Sequence, residues 1–420
     1  MILNVILGVL ATLSFALLIW QWIAALRFPL HRRNAEHRLG SKDAGSENVP
    51  SRSSAFQPAV TLLKSLKGAD AATEDCLRSW FAQAYEGDVQ ILFVVASAED
   101  PVCNVVKKLI QEFPQRDVQL VICSALAGSN AKVSKLAELE KLAKHEILVI
   151  SDADVRVPPD FLVNAVAPLR APEIGLVNCF YQLANPSTLA MQWEAIAINA
   201  DFWSQVLQSQ TLKPLDFALG AAMLTRRQQL AEIGGFNSLI NCLADDYQLG
   251  NRIAHHGHRI VLSPIVVECW DPPMTWRSVW KHQLRWARTI RVSQPAPYFF
   301  SILSNAGFWS LVWLVFGFYR MAEGTQVHFF DHGLDAELPL QWGLDIAVLF
   351  CVIRILAACH LQYRLTRSLD SAVYFWLVPI KDLLQAAIWL CAFAGNSIEW
   401  RGQVFKLRRD GTLGKPDDAP

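Results

Sequence analysis

The chain has 420 residues, a formal net charge of zero, 52% hydrophobic residues and fifteen tryptophans. Its mean hydropathy of +0.23 is high for a soluble protein, and the apolar residues gather at both ends, which points to membrane anchoring. Zero net charge argues against a nucleic-acid partner, and nine scattered cysteines without a Cys-x-x-Cys pair argue for reduced thiols in a cytoplasm-facing protein.

The first predicted element is a membrane span. Ile2 to Leu26 carries no charge and is interrupted only by Asn4, Thr12, Ser14 and Gln21, enough to cross a hydrocarbon core that needs about 20 residues. Arg27, His31, Arg32, Arg33 and Arg38 follow it, an order opposite to that of a cleaved signal peptide. Residues 1–27 therefore read as a signal anchor with its C-terminal flank cytoplasmic, and residues 28–57, basic and then polar from Gly40 to Gln57, as a linker.

Residues 58–270 read as an α/β domain. Short apolar runs begin at Ala59, Val89, Val118 and Glu146, separated by helix-length segments from Ala72 to Ala84, Val102 to Glu112 and Lys132 to Lys144. That alternation predicts a mainly parallel sheet covered on both faces, with ligands collecting beyond the carboxyl ends of the strands. Lys64, Asp100, Lys132 and Asp152 with Asp154 fall at or near those ends. The absence of a Gly-x-Gly-x-x-Gly or phosphate-loop motif there counts against a dinucleotide enzyme or a nucleotide triphosphatase. Asp152 and Asp154 stand at i and i+2 after a buried run, where both carboxylates can reach a hard divalent ion such as Mg²⁺ or Mn²⁺; an Asp-rich turn is the bland alternative. Farther on, "GAAMLTRRQQLAEIGGF" predicts a strand and a helix closed by Gly234 and Gly235. Asp245 and Asp246 then open an amphipathic helix.

Residues 271–298 place Trp276, Trp280 and Trp286 among basic residues just before a membrane entry, as in an interfacial amphipathic helix. Arg285, Arg288 and Arg291 in this segment suit phosphate oxygens, with lipid headgroups as the alternative for the last two. In residues 299–420, spans are expected at about Ile302 to Tyr319 and Leu340 to Leu361, joined by an acidic loop with Glu323, Asp331, Asp335 and Glu337. The stretch Val373 to Ala394 carries Lys381 and Asp382 at its centre and precedes a basic tail with Arg401, Lys406, Arg408 and Arg409. A re-entrant or interfacial hairpin there keeps the tail cytoplasmic. Arg354, Lys381 and Asp382 are costly in lipid unless paired, and mutual pairing competes with an acceptor-site role.

The ordered set "LKSLKG" (Lys64), "AEDP" (Asp100), "GSNAKVSKL" (Lys132), "SDADVRV" (Asp152), "IGGF" (Gly234), "LADDYQLG" (Asp246) and "HQLRWARTIR" (Arg285, Trp286) resembles the ceramide glucosyltransferase family. The close bacterial relatives in that family include the hopanoid-associated glycosyltransferases. The resemblance covers about Ala59 to Pro297 and implies a membrane-bound inverting enzyme with a GT-A-like nucleotide-sugar-binding domain, flanked by N-terminal and C-terminal transmembrane helices. It implies a UDP-sugar donor, most simply UDP-glucose, and a membrane lipid acceptor, most simply ceramide, with the catalytic domain on the cytoplasmic side of a bacterial inner membrane. Transfer of N-acetylglucosamine to a hopanoid polyol, a processive polysaccharide synthase and a silent membrane scaffold stay open as alternatives.

Residue by residue, Asp100 matches the aspartate expected near the uracil and ribose, and Asp152 the one expected to hold metal and diphosphate, with Asp154 completing the Asp-x-Asp. Asp246 matches the general base, and Arg285 with Trp286 the closing Arg-Trp pair. Lys64, Lys132, Gly234 and Gly235 fall in the matching nucleotide-sugar motifs, the glycines allowing backbone to approach the sugar. Asp245 would raise the pKa of its neighbour by like-charge repulsion. One position departs from the pattern: His282 stands where the family carries Gln or Arg, which leaves open a place in the site or on a helix surface.

Overall fold

The structure, a computed structural model, describes residues 2–31, 56–322, 340–400 and 402–414. Arg32, Arg33 and Arg38 of the basic cluster, most of the expected linker, the acidic loop with Glu323, Asp331, Asp335 and Glu337, and Arg401 lie outside the described residues. The chain divides into two compact units, one of residues 28–185 and 214–272, the other of residues 1–27, 186–213 and 273–420.

The first unit is built on an eight-stranded sheet. Its strands are β1 (Val60–Ser65), β2 (Val89–Val95), β3 (Asp117–Ile122), β4 (Ile147–Ser151), β5 (Val155–Arg156), β6 (Ile174–Leu183), β7 (Ala222–Arg226) and β8 (Arg259–Cys269), in the order β3-β2-β1-β4-β7-β6-β8-β5. The first four are mutually parallel, and the three helices between them (Thr73–Phe81, Val102–Glu112 and Ala131–Leu142) are those expected from the sequence. Every residue of β1, β2 and β4 is buried, as continuous Val/Ile/Leu runs require, whereas β3 closes the edge with a half-exposed pattern. β7 inserts antiparallel beside β4, and β6 and β8 lie parallel to each other, so the sheet is parallel through most of its joins. Ile91, Phe93, Val149, Leu224 and Val267 belong to its apolar core.

The second unit is helical. Ile2–Arg27 and Trp342–Thr366 are each long and apolar enough to cross a membrane. The polar residues of the first find partners that keep them out of lipid. Thr12 Oγ1 and Ser14 Oγ donate back to Gly8 O and Ala11 O, Gln21 Nε2 donates to Gln208 Oε1 at 3.1 Å, and Trp313 Nε1 donates to Asn4 Oδ1 at 3.0 Å.

The span expected from Ile302 is broken. Pro295–Ser304 and Ala306–Ala322 meet at 50°, and Asn305 sits at the break, where its Oδ1 accepts the Phe308 N–H and its Nδ2 donates to Asp382 O. An asparagine at a helix start competes for backbone donors and ends the preceding turn.

The hairpin expected across Val373 to Ala394 is corrected. Leu377–Phe393 is one continuous helix. Lys381 and Asp382 do not force the chain to turn back, because they are neutralised in place. Arg354 donates to Asp382 at 2.8 and 2.9 Å and to Asp201 at 2.9 Å, and Lys381 reaches Asp382 at 3.2 Å and also pairs with Asp201. All four residues are buried, so two cations and two anions cancel inside the helix bundle.

Three short strands follow, β9 (Ser397–Trp400), β10 (Gln403–Leu407) and β11 (Leu413–Gly414), in an antiparallel sheet. The helix Trp276–Ser293 holds this tail: Lys281 pairs with Glu399, Arg288 donates to Ser397 O and Arg291 to Asn396 Oδ1.

Candidate active site

At the carboxyl end of β4 the chain leaves the sheet as the turn Asp152–Ala153–Asp154. Lys132, in the first turn of the helix Ala131–Leu142, places its Nζ 2.7 Å from Asp152 Oδ1 and 3.1 Å from Asp245 Oδ2. Asp245 and Asp246 open the helix Asp245–His255, where carboxylates suit the positive end of the helix dipole. One ammonium thus ties the Asp-x-Asp turn to the paired aspartates about a hundred residues later. Burial alone would depress that ammonium, but the Asp152 and Asp245 carboxylates outweigh it and hold it above the ordinary lysine value.

Asn130 makes the junction rigid. Its Oδ1 caps the helix by accepting from the N–H groups of Lys132 and Val133, and its Nδ2 donates to Cys242 O at 2.8 Å and reaches Asp245 Oδ1 at 3.4 Å. Asn130 carries a local signal in the sequence that no motif above includes: an Asn immediately ahead of a helical pattern is an N-cap.

Burial and the neighbouring Asp245 push Asp246 up to about 6, and its Oδ1 accepts the Tyr247 N–H at 2.8 Å. A β-carbon on Gly220 would fall 2.7 Å from Asp246 Oδ2, so a larger residue there would displace that carboxylate. Asp154 is pushed up to about 7 by burial, by Asp152 and by Asp271. Asp271 is a second residue the sequence reading missed. It follows β8, the antiparallel partner of β5, and the Trp270 N–H donates to Asp154 O at 3.0 Å. No local motif marks it.

Lys64 lies beneath this turn rather than at the open end of β1. It is fully buried, its Nζ 2.5 Å from Asp152 O and 4.7 Å from the centre of the Trp80 ring, and burial brings it down to about 8. Asp100 accepts from Gly68 N–H with both oxygens and from Val102 N–H with Oδ1, joining the loops that follow β1 and β2. Gly234 and Gly235 have φ of 89° and 66°, the left-handed region that favours glycine. A β-carbon on Gly235 would stand 3.0 Å from Glu140 Oε1, and the next residue, Phe236, donates its N–H to Glu140 Oε2.

The structure therefore brings together Lys64, Lys132, Asp152, Asp154, Asp245 and Asp246 in the sheet unit, with Asp100 at a neighbouring strand end. Arg285 and Trp286 lie on the helix Trp276–Ser293 of the helical unit. There the His282 ring sits 4.3 Å from that of Trp286, and His282 Nδ1 is 2.9 Å from Glu194 Oε1. Arg288 and Arg291 are engaged by residues 395–397 rather than held open for a ligand.

Comparison with known proteins follows the same lines. The chain is 22% identical over 371 residues to ceramide glucosyltransferase 3 of Caenorhabditis elegans, spanning 86% of this chain and 75% of that one. It is 24% identical to the beta-monoglucosyldiacylglycerol synthase of a Synechocystis strain, spanning 67% of this chain and 59% of that relative's length. Among solved structures, a mannosyltransferase from Pyrobaculum calidifontis in complex with GDP-Man and Mn²⁺ aligns at a TM-score of 0.47 and 20% identity, covering 89% of this chain and 99% of that one. Residues 24–413, more than half of the chain, match the family described as Glycosyl transferase family 21, and the chain belongs to that family.

Proposed function

We propose that this protein is an inverting glycosyltransferase that moves a sugar, glucose, from a UDP-sugar to the hydroxyl of a membrane lipid, with ceramide as the acceptor. The observation that carries the reading is Asp246: a carboxyl group raised to about 6 and therefore basic yet ionised near neutral pH, beside an ammonium that gathers Asp152 and Asp245. In this reading Asp246 takes the proton from the acceptor hydroxyl as its oxygen bonds to the anomeric carbon. The bond from that carbon to the diphosphate breaks on the opposite face, and UDP leaves with the electron pair. Lys132 supplies positive charge to the diphosphate, and the family resemblance gives Arg285, with Trp286 beside it in the sequence, a catalytic role.

A divalent cation belongs to the proposal. Among the described residues no three His, Cys, Asp or Glu side chains form a ready metal cage. Mg²⁺ needs less, since one or two carboxylates with substrate phosphates and water suffice. Asp152 and Asp154 fit that requirement by place and chemistry: two carboxylates two residues apart at the carboxyl end of β4, with Asp154 pushed up first by burial and then by the Asp152 and Asp271 charges. Bound there with substrate, the ion would neutralise charge on the departing diphosphate.

The similarity to ceramide and diacylglycerol glucosyltransferases supports a lipid alcohol as acceptor, and the likeness to the Synechocystis enzyme favours diacylglycerol lipids as the second reading. We place the catalytic unit on the cytoplasmic face of a bacterial inner membrane, following the basic flank of the first helix. The test is lipid extraction after membranes carrying the protein are incubated with labelled UDP-glucose or UDP-N-acetylglucosamine and a panel of ceramide, diacylglycerol and hopanoid acceptors. Labelled glucosylceramide is the expected product. Label confined to a hopanoid would move the assignment to N-acetylglucosaminyl transfer, and label in polymer would overturn it.

A further inference from the structure

Lys64 is a charged side chain with no exposed surface, on a strand whose neighbouring Leu62 and Leu66 belong to the apolar core of the sheet unit. An ammonium in such a setting is expensive unless its protons are used. Its Nζ donates to Asp152 O at 2.5 Å and to Ser151 Oγ at 3.3 Å, and it stands over the Trp80 ring at 4.7 Å. A leucine would fill this part of the core without that cost, so packing does not account for a lysine here. What a leucine would give up is the hold on the Asp152 carbonyl.

The rest of the turn is held in the same way. Cys76 Sγ donates to Asp154 O at 3.4 Å and Trp80 Nε1 donates to Val155 O at 3.0 Å, both from buried side chains of the helix Thr73–Phe81. The Trp270 N–H adds a second bond to Asp154 O at 3.0 Å. Donors from β1, from one helix and from the residue after β8 therefore tie down three carbonyls between Asp152 and Val155. The Asp152 carboxylate is outside that hold: its Oδ1 meets Lys132, and its side chain is 41% exposed. A turn rich in Asp has several accessible backbone states, and two carboxylates at i and i+2 repel each other until an ion joins them. A backbone fixed beforehand removes that cost from binding.

We propose that Lys64 is a positioning residue for the Asp-x-Asp turn, holding the Asp152 backbone from beneath so that the Asp152 and Asp154 carboxylates are set to receive a divalent cation together with the diphosphate. Cys76 and Trp80 complete the brace. The inference rests on the metal reading above, and it replaces the nucleotide-sugar contact that the family resemblance implies for Lys64. A buried cation could instead serve as a countercharge to the two carboxylates, and the two roles differ in sign. Losing a brace weakens cation binding, whereas losing a countercharge strengthens it.

The test uses the full chain in lipid nanodiscs and reads Mn²⁺ binding directly, from the loss of the free-ion paramagnetic resonance signal in the presence of UDP. Lys64→Met, which keeps the length and apolar bulk of the side chain, is expected to raise the Mn²⁺ Kd about ten- to a hundredfold. Trp80→Phe keeps the ring and removes only the donor to Val155 O, and is expected to raise it about three- to tenfold. A folded Lys64→Met protein with the wild-type Kd would overturn the proposal and leave Lys64 a residue of the core, and tighter binding would overturn it in favour of the countercharge. If Lys64→Met fails to fold, Trp80→Phe decides: a raised Kd supports the brace, and an unchanged or lowered one overturns it. A wild type that takes up no Mn²⁺ with UDP refutes the metal reading itself, and the brace with it, a result distinct from wild-type uptake that the variants leave unchanged.

Discussion

Lys132 Nζ stands 3.1 Å from Asp245 Oδ2 while holding Asp152 at 2.7 Å with the same ammonium. The two carboxylates come from the end of β4 and from the start of a helix in the far half of the sheet, so this cation sets their spacing. Lys132→Met removes the shared countercharge, and transfer should fall by about a hundredfold or more in kcat/KM, measured below a melting midpoint that should itself drop because Asp152 and Asp245 lose their common cation. Lys132→Arg should recover only part of the loss, since a planar fork does not replace a point charge between two acids.

Asp246→Asn should lower transfer by about 100- to 10,000-fold, the range of general-base help, with nucleotide-sugar binding little changed. Asp245→Asn should be milder. Loss of nucleotide binding in Asp246→Asn, or a greater loss in Asp245→Asn, would assign the base to another carboxylate.

The pH profile follows from the raised carboxyl. Asp246 is protonated and inactive as a base below its value of about 6, so kcat/KM should climb as pH rises through about 6 and level off above it. In Asp245→Asn a repelling charge is gone, and the rising limb should move to lower pH. The profile should be recorded at saturating divalent cation, because Asp154, at about 7 without one, would otherwise add a coupled step.

Chelation should abolish transfer, and Mg²⁺ or Mn²⁺ should restore it. Asp154→Asn should raise the cation concentration needed for half-maximal rate, and Asp271→Asn should do so to a smaller degree. Full activity in excess chelator would leave the Asp-x-Asp turn to Lys132 alone.

Arg354→Leu leaves Asp201 and Asp382 with Lys381 as their remaining cation inside the bundle. Removing one member of a buried charge set costs about 3–5 kcal/mol, which should appear as a marked drop in the unfolding midpoint of the detergent-solubilised protein. Because β9 and the helix Trp276–Ser293 are joined by Lys281–Glu399 and Arg288, protease added to inside-out vesicles should cut the tail whenever it reaches residues 276–293. Cleavage of one with protection of the other would contradict that contact.

Local pattern carried a large part of this protein. Continuous apolar runs separated by helix-length segments sufficed for β1 to β4 and the helices between them, and an Asp-x-Asp after a buried run sufficed for the turn beyond β4, because strand and helix periods are written in neighbouring residues. Two spanning helices were legible for the same reason. Partnership was not. That Lys64 lies under Asp152, that Asn130 ties Lys132 to the Asp245 loop, and that Asp271 faces Asp154 depend on how β7, β6 and β8 fold back across the sheet, which no window of sequence encodes. The same holds in the helical unit. Arg354, Lys381 and Asp382 could be seen to need partners, but Asp201, 153 residues from Arg354 along the chain, was supplied only by helix packing, which brings charges together to avoid their cost in an apolar surrounding.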